Sequence, residues 1–333
     1  MPDKARRVTL TIRWPTGFRS YWWPSFHLAC LLLLTVGVWP QAQRISFRQP
    51  IALAFQPEVG LVVLGLDGTV TILGSDHQSG GLPQLSVKQT FHISFAETPA
   101  DITFGKQPDG IYIFVSSNMP GAIGGGRNGH VTQYTLDGKM KNMWTMTGIA
   151  SGIAFDWSKS YLYFVSVMPG GTSRPTNEIF KLSMAGERPP ASPSFVGQVP
   201  SVMQLGPIAL DPTTQAIWCG DVVEDGLAVF DIAARRSHAT RLDHGTISDV
   251  VGLYFDVGLN RLYATDFGRN KVFAFTPQPA NLRSELPILQ AKNPSSVVGI
   301  ENGIIVVADQ TDNVLLVFSP NQTTPTTIGG TGR

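Results

Sequence analysis

Charge is scarce in this chain. Asp, Glu, Lys and Arg make up 15% of the 333 residues, against roughly 25% in an average soluble domain. Neither sign dominates, with 25 basic residues facing 24 acidic ones and a formal net charge of +1. A nucleic-acid binder meets phosphate with a basic excess or a Lys/Arg stripe, and this sequence has neither. Cysteine is almost missing: Cys30 and Cys219 are the two present. Long apolar runs are missing too, since none reaches the about 20 residues of a membrane-spanning helix. Catalytic signatures are equally sparse. There is no Gly-x-Ser-x-Gly elbow, no His-Glu-x-x-His and no Cys pair at zinc spacing. The Gly124-Gly125-Gly126 run is not followed by Lys-Ser/Thr, which excludes a phosphate loop.

Turn formers and apolar residues are plentiful instead. The chain holds 34 Gly and 24 Pro, too many for a long coiled coil. Hydrophobic residues at 43%, aromatics at 10%, are too many for a disordered chain. A turn-rich β protein remains.

Residues 1–43 read as a leader. Lys4, Arg6, Arg7, Arg13 and Arg19 form a basic flank, and Phe26 to Trp39 run nearly unbroken in apolar residues. That length suits the core of a secretory signal, with cleavage after Ala42, although Pro40 fits the −3 position poorly. An uncleaved N-terminal membrane anchor, with Trp22-Trp23 at the interface, is the alternative, and a buried helix of the fold is a third. Cys30 as a lipidation site and Arg6-Arg7 as a twin-arginine signal both fit poorly, because the flanking residues do not match. Export would place the protein in a periplasmic or extracellular space, with membrane contact through the leader alone. Without the leader Cys219 stands alone, so no intramolecular disulfide forms, and a small buried apolar role suits it better than a nucleophilic one.

The body of the chain, 44–333, repeats itself. Short apolar strands end at Phe55, Phe104, Phe155, Leu210, Phe255 and Ile300, spaced 49, 51, 55, 45 and 45 residues apart. Acidic or turn-forming segments follow most of them, such as Asp156-Trp157-Ser158, Asp211-Pro212-Thr213 and Asp256-Val257-Gly258. A second and a third strand recur after each, and a more polar fourth segment closes the unit. Buried inner strands, alternating outer ones and this period predict an all-β fold: a six-bladed β-propeller of four-stranded antiparallel blades.

The residues Tyr263-Ala264-Thr265-Asp266-Phe267-Gly268-Arg269-Asn270-Lys271-Val272 and Val307-Ala308-Asp309-Gln310-Thr311-Asp312-Asn313-Val314 resemble NHL repeats. Gly220-Asp221 with Val222 to Phe230 is a looser copy. The resemblance extends to the wider superfamily of six-bladed propellers that includes SMP-30/gluconolactonase-like and strictosidine synthase-like proteins. It implies the fold. It implies a metal-dependent lactonase only where carboxylates and an Asn converge on one divalent ion, and the Gly-Glu-Gly-Pro and Pro-Asn-Gly segments expected of such enzymes are missing.

Candidate ligand residues gather where the second strands end and the third begin. Asp67, Asp221, Asp266 and Asp309 sit there, either as metal ligands or, more simply, as caps of the repeat's own turn. Two long loops, 117–130 and 168–177, share Met-Pro-Gly and carry Arg127 and Arg174, either as a lip over the channel mouth or as plain insertions. His130 and His244 are expected near the mouth, or else as solvated or turn-bonded histidines. Asp249, Glu97 and Gln204 are expected on the rim. Glu224 and Arg269 complete the candidate ligand-binding set. The leading expectation is an exported, monomeric, non-enzymatic propeller that binds a small molecule, glycan or protein at its loop-rich channel face, with no cofactor and no nucleic acid. The alternatives are a metal-dependent hydrolase, lactonase or lyase using a divalent metal held by Asp221, Asp266 or Asp309, and a scaffold in an envelope assembly.

Overall fold

The computed structural model describes residues 45–76, 84–93, 97–119, 128–168, 174–186, 192–223, 226–242, 247–277, 281–320 and 322–330. The chain divides into Met1–Gln43 and Arg44–Arg333. The leader lies outside the described residues, among which no helix is long and apolar enough to cross a membrane.

The second unit is a ring of six four-stranded sheets. Blade 1 comprises β1 (Pro50–Gln56), β2 (Gly60–Gly65), β3 (Thr69–Asp76) and β4 (Gln84–His92). Blade 2 comprises β5 (Thr98–Gln107), β6 (Gly110–Asn118), β7 (Asn128–Tyr134) and β8 (Met140–Thr147). Blade 3 comprises β9 (Ile149–Asp156), β10 (Tyr161–Met168), β11 (Thr176–Ser183) and β12 (Ser194–Gln198). Blade 4 comprises β13 (Leu205–Asp211), β14 (Ala216–Asp221), β15 (Leu227–Asp231) and β16 (Arg236–Leu242). Blade 5 comprises β17 (Val250–Asp256), β18 (Arg261–Asp266), β19 (Lys271–Pro277) and β20 (Asn281–Gln290). Blade 6 comprises β21 (Pro294–Gly299), β22 (Ile305–Asp309), β23 (Val314–Phe318) and β24 (Thr326–Gly329). Within each blade the strands pair in chain order, all antiparallel. Blades 4 and 5 are also joined at their outer edges by a short parallel pairing of β16 with β20.

The core is not central. It is divided into six apolar clusters, one in each wedge between neighbouring blades. Side chains of a strand alternate between its two faces, so each middle strand serves two wedges. Val62 and Leu64 pack toward blade 2, and Leu61 and Val63 toward blade 6. Both faces being buried, the middle strands read as continuous apolar runs and leave little room for charge. Asp156, Asp211 and Asp256 end their inner strands and accept backbone N–H bonds from the following turns, such as Ser158 N to Asp156 Oδ1 at 2.9 Å. Asn260 and Asn302 take positive φ, 46° and 61°, in turns joining first to second strands, and Asn270 and Asn313 do so, at 59° and 56°, in turns joining second to third strands.

Ring closure uses no exchanged strand, since blade 6 is built from four consecutive strands. Instead β21 lies directly against β1. Ser295 Oγ donates to Pro50 O at 2.6 Å, and Leu53 N donates to Ser296 Oγ at 3.1 Å. Residues 45–49 form a strap over this seam. Ile45 and Phe47 pack into the blade 6–blade 1 cluster, and Gln49 N donates to Asn313 Oδ1 at 2.7 Å. Gly329, at φ +90°, leaves room for the Phe47 ring, which a Cβ there would meet at 2.7 Å.

Candidate functional site

Every inner strand carries one irregularity near its start. The register of β1, β5, β9, β13, β17 and β21 against its neighbour shifts at Pro50/Ala52, Pro99/Asp101, Ala150/Ile153, Leu205/Ile208, Val250/Gly252 and Pro294/Ser296. A bulge bends a strand and re-aims its side chains. At this level the strands draw together: a Cβ on Gly152 would stand 2.6 Å from Gly206 O and from Ile208 N, and one on Gly252 2.8 Å from Ser296 Cα.

From the bulges toward the turns joining first and second strands, the inner strands enclose a cavity of about 410 Å³. All six contribute to it, through residues such as Leu53, Ile102, Ile153, Ile208, Leu253 and Val298. Trp157, Pro212 and Val257, from those turns, complete its lining and place its mouth on that face. Trp157 is 44% exposed and packs edge-on against Phe155, centroids 5.1 Å apart.

Among the described residues one carboxylate lines this apolar cavity, that of Asp101 on β5. It bridges two blades: Ile153 N on β9 donates to Oδ2 at 3.0 Å, and Ile102 N donates to Oδ1 at 2.8 Å. Ser296 plays the same part for Leu53 N at the blade 6–blade 1 seam. Burial lifts the Asp101 pKa from 3.8 to about 7, and the two backbone bonds only partly restrain it. Tyr254 also lines the cavity, and burial raises its hydroxyl pKa well above the ordinary 10.0.

None of the expected candidates among the described residues lines this cavity. Arg127 and Glu224 lie outside the described residues, as do His244 and most of the two long loops. The first of those loops is shorter than expected, because β6 runs on to Asn118 and β7 already begins at Asn128. His130 is thereby taken into the blade 2 ladder, between Ser117 and Thr145, at 3% exposure. Its Nδ1 lies 3.2 Å from Thr145 Oγ1, and its buried Nε2 has no partner among the described residues. Glu97 accepts a bond from Ser117 Oγ. Arg174 is exposed ahead of β11.

The acids at the ends of the second strands cap turns and grip the segment entering the same blade. Asp221 Oδ1 accepts from Gln204 N at 3.2 Å and Val223 N at 3.0 Å. Asp309 accepts from Lys292 N at 2.8 Å and Asp312 N at 3.1 Å. Asp266 accepts from Ser248 N at 2.9 Å, Ser248 Oγ at 3.1 Å and Arg269 N at 2.8 Å. Arg269 Nε stands 3.9 Å from Asp266 Oδ2, and Asp249, at φ +46°, accepts Phe267 N on its carbonyl at 3.2 Å. Blade 5 thus gathers Asp249, Asp266 and Arg269 into one turn, while Asp221 and Asp309 stay in their own blades. No group of three His, Cys, Asp or Glu able to hold a metal ion occurs among the described residues. Asp266→Ala is expected to cost about 2–4 kcal/mol, since it orphans several donors at once. Urea unfolding of the variant and the parent measures it.

The sequence signal for Asp101 was slight. It is an acid inside an apolar strand, where a capping role is not available, and it follows Pro99 at a bulge.

No protein-family model matches the chain, and no curated protein matches it. Solved structures do. A chain of the nidogen/laminin complex aligns with a TM-score of 0.56 at 13% identity, covering 79% of this chain and 91% of that one. Virginiamycin B lyase from Staphylococcus aureus, solved with quinupristin, aligns with a TM-score of 0.54 at 12% identity over 86% and 87%. The PQQ-bound aldose sugar dehydrogenase of Streptomyces coelicolor gives 0.51 at 11% identity over 81% and 91%. At such identities the likeness concerns the fold, and the fold is that of the β-propellers.

Proposed function

We propose that this propeller is an exported binding protein that holds a small, mainly apolar molecule in its central channel without chemically altering it. The observation that carries the reading is the apolar channel cavity with, among the described residues, a single carboxylate on its wall. Such a mixture, a mostly apolar lining with few polar groups, is typical of small-molecule sites, which usually measure about 300–1,000 Å³. A glycan would find too few hydrogen-bonding partners there. The ligand's apolar body packs against Leu53, Ile153, Ile208 and Leu253, and one polar group meets Asp101. Entry is past Trp157, on the face of the turns joining first and second strands. The basic flank and apolar run of the leader support export. The metal-dependent alternative draws no support from the geometry, because Asp221, Asp266 and Asp309 each serve their own turn.

The neutral fluorophore N-phenyl-1-naphthylamine tests the reading. Its emission is expected to rise on titration with the protein. Val251→Trp, at a partly buried lining position outside the wedge clusters, is expected to abolish the rise, and Trp157→Ala at the mouth to weaken binding about tenfold, or about 1.4 kcal/mol. Equal binding by the parent and both folded variants would place the fluorophore elsewhere and remove the reading.

A further inference from the structure

A second cavity, of about 340 Å³, lies at the seam of the ring, between the strap and blade 1. It shares no lining residue with the channel. Arg48 and Phe47 come from the strap, and Pro50, Asp67, Thr69 and His92 from blade 1.

Its two charges form a loose ion pair at the edge of the cavity. Asp67 Oδ1 is fixed by Thr69 N at 3.0 Å, while Oδ2 stands 3.8 Å from Arg48 Nη1. That separation is too long for a hydrogen bond. The Arg48 side chain is 81% exposed and that of Asp67 30%, so the pair itself contributes little to stability. Thr69 Oγ1 and His92 Nδ1, 3.2 Å apart, add polar groups to the same wall, and the Phe47 ring is apolar. A lone anion here meets the Asp67 carboxylate, and a lone cation meets Arg48. A molecule carrying both charges on one carbon suits both.

We propose that the seam cavity binds a free α-amino acid. The ligand carboxylate takes the Arg48 guanidinium in a bidentate pair, the ammonium takes Asp67 Oδ2, and the side chain lies along Phe47 and Pro50. Bound there, the amino acid ties the strap to blade 1, beside the junction of β21 with β1. A ligand that binds only the closed ring raises its unfolding temperature by mass action.

The test is thermal unfolding of the full chain with millimolar leucine, N-acetyl-leucine or leucine amide. Leucine is expected to raise the midpoint in a saturable way. The two derivatives, each lacking one charge, are expected to act about tenfold more weakly or not at all. Arg48→Ala and Asp67→Asn, the latter keeping an oxygen for Thr69 N, are expected to remove the response. Because Arg48 is so exposed, its variant folds even if the other does not. An equal response to all three compounds, a response surviving Arg48→Ala, or no response to leucine at any concentration would overturn the proposal. The channel reading is untouched by each of those outcomes, since its fluorophore reports on different residues.

Discussion

Replacing Gly152 with valine is expected to leave the ring unable to fold, or to destabilise it by more than about 3 kcal/mol, the upper end for ordinary overpacking. The reason is what the added atoms would meet. A Cβ at residue 152 stands 2.6 Å from Gly206 O, 2.6 Å from Ile208 N and 2.9 Å from Pro207 C, all of them backbone atoms. A flexible side chain yields to such a contact by changing rotamer, but a strand does not. Moving β13 away from β9 disturbs its contacts with β17 and, around the ring, every later blade. Gly226 is the control, because a Cβ there meets nothing within 4 Å and alanine is expected to be neutral. Urea midpoints of the two variants decide the matter. A Gly152→Val midpoint equal to that of Gly226→Ala would show that the inner strands are not held as closely as described.

The second large effect concerns pH. Asp101 has a folded-state pKa of about 7 against 3.8 for the free group, so the native protein holds its proton more tightly than the unfolded chain. As pH rises from about 4 to about 7, the unfolded chain ionises at no cost while the folded one resists, and stability falls across that window. The full difference corresponds to at most about 4 kcal/mol for this shift from 3.8 to about 7. Above pH 7 the loss is complete, and below pH 4 the contribution is fully retained. Asp101→Asn removes the ionisation. It also turns an amide N–H₂ toward one of the two backbone donors, Ile102 N or Ile153 N, which costs about 1–3 kcal/mol. The stability curves of parent and variant are therefore expected to converge or cross as pH rises, with the parent ahead at pH 5. Chemical unfolding at pH 5 and pH 8 reads this directly. Parallel curves would mean that the Asp101 carboxyl is solvated and not enclosed.

The six-blade plan was legible because wedge packing imposes a local rule: six apolar inner strands ending in Phe, Leu or Ile, most of them followed by a turn with Asp or Asn. Phe155-Asp156 and Phe255-Asp256 show it in adjacent residues, and both ended up as expected. The turn acids Asp221, Asp266 and Asp309 were legible as a repeat, and their simpler role as caps agrees with the bonds they make. The channel carboxylate was not legible. Asp101 occurs in one blade of six, so no periodicity marks it, and the bulge that aims it is a matter of register, which depends on pairing with residues far along the chain. His130 was read as the end of a loop, although it lies within β7, for a related reason. Gly129 and the glycines before it look like loop, yet the ladder recruits Asn128 and Gly129 into β7. The strap passed unnoticed because its partners, such as Asn313, lie 264 residues away.

Each blade being a contiguous stretch of chain has a consequence for how the molecule is made. A polypeptide emerging from its N-terminus can complete the four strands of one blade before the next begins, so most pairing is between near neighbours in sequence and is fast. The exception is the meeting of β21 with β1, which waits until nearly the whole chain is present. Until then every intermediate is an open arc whose two ends expose the faces that later form one wedge, including Leu61, Val63 and Val306. An arc of that kind can close on itself or on the matching end of another copy. A mixed assembly of two arcs into a larger ring is therefore the misfolded product this architecture is prone to, and it becomes more frequent as the concentration of unfinished chains rises.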